Sequence, residues 1–183
     1  MKKIIAIAAA AALAATLCAC GSSSSASSSS SSSSSATSAA TSSSSSSQKI
    51  SDDAWEKMSD SISNIVADEW EGYSNYTIDL SEKDAYARIY ISTQSGMKET
   101  LANASDTAKQ AWEDLKAGTI EQNENIKQAA ASTMPNIQVE TYLIEDLDVD
   151  AVNQAIEANG SYTPTSYVLY VKDSTVVYDV AAE

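Results

Sequence analysis

The residues from Gln48 to Glu183 predict an α+β domain, with an antiparallel sheet and helices packed on one face. Three observations carry this expectation. The hydrophobic period switches between 3.6 and 2 in the order α-β-β-α-α-β-α-β-β, so four of the five strands come in sequence-adjacent pairs. Two of the links between strands, Ser81 to Asp84 and Asp173-Ser174, are short enough for hairpins. The segment of about 136 residues is near the commonest size of a single domain and can bury roughly two-thirds of its unfolded surface.

Taken in order, the first helix is capped by Ser51 and carries Trp55, Met58, Ile62, Ile65, Val66 and Trp70 at steps of three and four, ending at Gly72. Tyr76, Ile78 and Leu80 alternate with Thr77 and Asp79 and read as a strand. A second strand from Ala85 to Ser92 sets Ala87, Ile89 and Ile91 on one face and Tyr86, Arg88 and Tyr90 on the other. Met97, Leu101, Ala104, Ala108, Ala111, Trp112 and Leu115 form the stripe of a long helix, stopped at Gly118. Thr119 with Gln122 resembles a capping box that starts a further helix through Ile126 to about Ala131, and Met134-Pro135 ends it. Ile137 to Ile144 is a strand, Asp148 to Asn159 a short helix closed by Gly160. Tyr167 to Val171 and Val176 to Val180 form a terminal hairpin. Trp55, Ile62, Val66, Leu101, Trp112 and Leu115 are the expected core. No internal repeat is present.

The residues before Gln48 have another logic. Lys2 and Lys3 precede an apolar run from Ile4 to Leu17, followed by Leu17-Cys18-Ala19-Cys20. About 14 apolar residues are too few to span roughly 30 Å of hydrocarbon, so the run reads as a cleaved export signal. Ala19 before Cys20 resembles the lipobox of bacterial lipoproteins, which implies removal of residues 1–19 and lipidation of Cys20, with palmitate among the acyl groups such an anchor carries. Cys18 is the poorer acceptor, because Leu17 would occupy the cleavage position. Lipidation of Cys20 leaves no thiol for a disulfide in the folded part. Residues 20–47 are the lipidated cysteine and a Ser-rich tether that has nothing to bury and no reason to order. As a flexible coil of about 27 residues it reaches roughly 30 Å on average and roughly 90 Å when stretched. The expected location is therefore the extracytoplasmic face of the cell membrane, lipid-anchored.

Composition removes several functions. The whole chain carries −14, and without Lys2 and Lys3 nine cationic groups face 25 acidic ones, a net −16. Such a domain is not expected to bind nucleic acid, and its acidity serves solubility. The absence of histidine takes away the usual general base, the Ser-His-Asp and Cys-His arrangements and the commonest zinc ligand. The glycines Gly72, Gly96, Gly118 and Gly160 are isolated, so no phosphate loop is encoded. No cofactor is implied, and the chain is not expected to be an enzyme. The sequons at Asn75, Asn103 and Asn159 read as chance matches.

Two stretches are candidate sites. Asp146, Asp148, Asp150 and Glu157 stand at positions 1, 3, 5 and 12 of a count that resembles an EF-hand calcium loop. Ala151 occupies the sixth position, where glycine is wanted for positive φ. The favoured alternative is a helix start, with Asp148 as N-cap and Asp150 at the positive end of the helix dipole. The second candidate is aromatic: the chain has nine Tyr, three Trp and no Phe, and Tyr86, Arg88 and Tyr90 share a strand face that Tyr142 and Tyr170 would extend if their strands are neighbours. Tyr is enriched at recognition surfaces, and it is also simply a good strand former. The C-terminal stretch Tyr170 to Asp179 resembles the final hairpin of uncharacterised small bacterial lipoproteins and brings no function with it. The expected function is a membrane-tethered module that binds an exported protein, a peptide or a glycan. The alternatives are an envelope accessory or assembly subunit, a carboxylate-based enzyme and a calcium-binding domain.

Overall fold

The computed structural model describes residues 5–7, 50–72 and 74–183. Cys20 and, apart from Ile5–Ile7, the expected signal and tether lie outside them. Ser51, extended at φ −66° and ψ 146°, caps helix α1 (Asp52–Trp70) by accepting the Ala54 N–H at 3.3 Å, with Asp52 and Asp53 in the first turn. Trp55, Met58, Ile62, Val66 and Trp70 form its buried stripe. Gly72, at φ +83°, ends it.

Strands β2 (Tyr76–Ser81) and β3 (Tyr86–Thr93) form the expected hairpin, with Tyr76 opposite Ile91 and Ser81 opposite Tyr86. The Asp84 N–H donates to Ser81 Oγ at 3.2 Å and tightens the turn. Helices α2 (Met97–Ala102) and α3 (Asp106–Ala130) lead to β4 (Gln138–Glu145). Helix α4 (Val149–Asn159) follows, then β5 (Leu169–Lys172), β6 (Thr175–Asp179) and a 3-10 turn over Val180–Ala182. The β5–β6 turn is Asp173-Ser174, both at positive φ (46° and 65°), as the two-residue hairpin requires. A short strand β1 (Ile5–Ile7) pairs antiparallel with the outer edge of β2, and the sheet runs β1-β2-β3-β4-β5-β6.

Four expectations need correction. The long helix does not stop at Gly118. It breaks earlier, at Asn103 to Ser105, where Ser105 turns extended and accepts the Ala108 N–H at 3.3 Å. Gly118 keeps a negative φ inside α3, because glycine permits a left-handed stop without compelling one. Thr119 does not cap; its hydroxyl donates to Leu115 O at 2.8 Å, one turn back. Along α3, Ala108 and Ala111 are consequently exposed, while Trp112, Thr119, Gln122, Asn123, Ile126 and Ala130 are buried. Leu115 is half-buried against the core.

The sheet is not wholly antiparallel. β3 and β4 run parallel, with Tyr86 opposite Gln138 and Thr93 opposite Glu145; the two intervening helices supply the long crossover that a parallel pair needs. Nor do the helices share one face. α1 and α3 cover the side bearing Ile78, Leu80, Ala87, Ile89, Ile91, Val139, Leu143, Leu169 and Val171. α4 lies on the other side, where Val152 and Ile156 pack with Tyr90, Tyr142 and Ile144 and the Thr77 hydroxyl donates to Asn153 Oδ1 at 2.6 Å. β3 and β4 carry large side chains on both faces, so leaving either bare would expose them to water.

Candidate functional site

The second face of the sheet is assembled in rows by strand register. One row runs Asp79, Arg88, Glu140, Lys172 across β2 to β5, an alternation of charge on four neighbouring strands. The next contains Tyr90, Tyr142 and Tyr170. The structure thus brings together all five residues that the sequence nominated, Tyr86, Arg88, Tyr90, Tyr142 and Tyr170. It adds a residue the sequence reading missed, Glu140, at the centre of them.

Glu140 is 5% exposed and receives four donors. Arg88 Nε at 2.8 Å and the Tyr142 hydroxyl at 3.0 Å donate to Oε2. Lys172 Nζ at 3.0 Å and the Tyr170 hydroxyl at 3.3 Å donate to Oε1. Burial alone would raise its pKa, but the bonds from Lys172, Arg88 and Tyr142 and the Arg88 charge outweigh it and hold the carboxyl below its ordinary range. Glu140 is therefore an ionised, saturated acceptor. The phenols move the other way: burial first, then the bond to Asp79, pushes Tyr86 up to about 12, and burial raises Tyr90 and Tyr142 further. None of these phenols is a base near neutral pH.

The tyrosine rings form a continuous stack. Tyr90 lies on Tyr142 at 5.6 Å and 13°, and Tyr142 on Tyr170 at 4.4 Å and 8°. Tyr162 closes one end edge-on at 5.3 Å, and Tyr167 tilts against both Tyr142 and Tyr170. The stack is not an open platform. Tyr90 is wholly buried with its hydroxyl donating to Tyr162 O at 2.7 Å, and Tyr142 is 8% exposed. α4 and the chain around Tyr162 and Tyr167 cover these two rings, because two stacked phenyl faces are too apolar to leave in water.

What stays open is the other end of the face. Arg88, its side chain 25% exposed, holds its guanidinium carbon 4.1 Å from the Tyr86 ring centroid while its Nε is fixed on Glu140. Lys83, Asp84, Tyr86, Arg88, Gln138, Asn159 and Ser161 border an open cavity of about 530 Å³ there, between the β2–β3 turn, the start of β4 and the end of α4. Two fixed contacts leave the cation little freedom, so a ligand meeting it orders little further.

The acidic stretch folds as the helix start. Asp148 Oδ1 accepts the Ala151 N–H at 3.0 Å, and Asp150 sits in the first turn of α4. Asp146, Asp148, Asp150 and Glu157 are not gathered: among the described residues no group of three or more acidic or Cys side chains is placed to hold a metal ion. No helix among the described residues is long and apolar enough to cross a membrane. Glu140 and Lys172 were within reach of the sequence, since each lies two residues from a nominated tyrosine on its strand and so shares its face. The row that joins them was not. Comparison with protein-family models, curated proteins and solved structures gave no match.

Proposed function

We propose that the protein is a lipid-tethered, extracytoplasmic binding module whose ligand site is the Arg88 end of the second sheet face. One observation carries the reading: Arg88, the only arginine of the chain, stands partly exposed at the open cavity, seated on Tyr86 and braced by Glu140. A planar cation on an aromatic ring, beside the amide of Gln138, suits a carboxylate-bearing ligand such as a peptide end or an acidic sugar. Because the domain is strongly acidic, that ligand is held by local geometry and not by the overall field. The face offers little to a carboxylate-based enzyme, since Glu140 is already bound on both oxygens.

The test is an NMR titration of the processed protein with N-acetylated dipeptides and with glucuronate. Shifts confined to Tyr86, Arg88, Gln138 and Ser161, lost in Arg88→Gln while the tryptophan fluorescence stays native, are expected. Shifts spread evenly over the surface would reject the site. The tether is tested separately: Cys20→Ser is expected to move the protein from the detergent to the aqueous phase on partitioning, since stable anchoring depends on the lipid. Retention in the detergent phase would reject the lipobox.

A further inference from the structure

The two edges of the sheet are finished differently. On the β6 side, the register slips between Tyr170 and Val171, and the chain turns at once into the 3-10 turn over Val180–Ala182. Irregularity of this kind blunts an edge against further pairing. On the other side, β2 keeps an unbroken register with β3 over all six residues. Its sequence Tyr-Thr-Ile-Asp-Leu-Ser has no lysine, no proline and one acidic residue, none of the usual edge guards apart from Asp79. That carboxylate is 2% exposed and accepts the Tyr86 hydroxyl at 2.9 Å within the sheet face.

A strand is seated on this edge. Ile5, Ala6 and Ile7 pair antiparallel with Ile78, Thr77 and Tyr76, and α4 lies against both β1 and β2 and walls the position on one side. Yet Ile5–Ile7 falls within the export signal, which the tethered-module reading removes with residues 1–19. Processing then uncovers backbone donors and acceptors of β2 that have already been matched to an extended partner. Unpaired strand edges are templates for strand addition, where main-chain bonds supply affinity.

We infer that the outer edge of β2 is a strand-accepting surface in the processed protein, and that its occupant is an extended apolar segment with a basic flank from a neighbouring exported protein. The resident strand shows the direction of pairing, antiparallel to β2. Its own sequence shows the chemistry, Lys2-Lys3 followed by Ile4-Ile5-Ala6-Ile7. The net −16 of the processed chain favours a basic flank over an acidic one. The inference rests on removal of the signal, and it is independent of the Arg88 cavity.

The experiment uses the lipidated protein purified in detergent, its intact mass first establishing whether residues 1–19 are gone; a retained signal would overturn the inference at its premise and leave the cavity proposal standing. The probe is a synthetic peptide of residues 2–8, read by hydrogen exchange. Saturable slowing of exchange by about tenfold or more is expected at Tyr76 and Ile78, whose amides face outward, the Thr77 amide being turned toward β3. A peptide with Ile5→Pro, which removes the backbone donor opposite Ile78 without touching the protein, is expected to give none. Unchanged exchange at saturating peptide, or equal protection by the proline peptide, would overturn it. So would sedimentation of a dimer whose β2 amides are already slow, because the edge would then be taken by a second copy.

Discussion

Ile89 and Tyr90 are consecutive residues of β3, both wholly buried, and they enter opposite kinds of interior. Ile89 points into apolar packing between the sheet and helices α1 and α3. Tyr90 points into a stack of phenol rings next to an ionised carboxylate. The first interior is held by apolar area and close packing, and its buried Thr141 and Asn123 satisfy each other at 2.6 Å. The second is held by directed bonds around Glu140, and its covering helix has only 11 residues against 25 in α3. A face built on satisfied polar groups can stop short of full coverage without stranding apolar surface, and that is where the cavity opens.

This contrast can be broken by substitution. Ile89→Ala is expected to have the largest effect, about 3 kcal/mol from lost transfer energy and the cavity left behind, with little dependence on pH; chemical denaturation at pH 7 and pH 4 measures both. Glu140→Gln is expected to cost about 2 kcal/mol at pH 7, the scale of bonds to charged groups, reduced because Lys172 is 39% exposed. Its effect is pH-dependent with a definite sign. The folded carboxyl titrates below its ordinary value of 4.5, so its contribution is complete above that value and is lost as pH falls through the folded pKa. The difference between wild type and Glu140→Gln should therefore shrink on acidification below about pH 4.5; a constant difference would mean that the carboxylate charge is not what holds the second face.

Two smaller effects sharpen the comparison. Tyr90→Phe removes the hydroxyl that holds the Tyr162 carbonyl and keeps the ring; about 1 kcal/mol should be lost, with faster exchange around Tyr162. No loss would mean that the covering segment is held by ring contacts alone. Gly118→Ala should stabilise the protein by about 0.5–1 kcal/mol if α3 is continuous, since glycine weakens a helix interior by that amount. The nearest atom to the added methyl is Glu69 Oε1 at 3.1 Å, the end of a flexible exposed side chain. Destabilisation would restore a helix stop at Gly118.

Much of the local structure was legible, and the residues show why. Ser51, Asp148 and Gly160 cap helices through groups within four residues of themselves, and β3 shows its two faces through strict alternation. Of the candidate site, the sequence supplied the five side chains and the face they share. It did not supply Glu140 as their hub, because Arg88 and Glu140 are 52 residues apart and meet only through the parallel register of β3 and β4.

What the sequence determined by itself is what neighbours within a turn or a strand can enforce: the periods, the caps, the Asp173-Ser174 hairpin and the amphipathic faces. What only the tertiary structure decided is everything set by competition for cover. Both faces of β3 and β4 demanded burial, so α4 went to the second face. α3 ran through Gly118 because packing against α1 repaid a weak helix position. The parallel pairing then aligned Arg88 with Glu140, since register belongs to two strands at once and cannot be written in either of them alone.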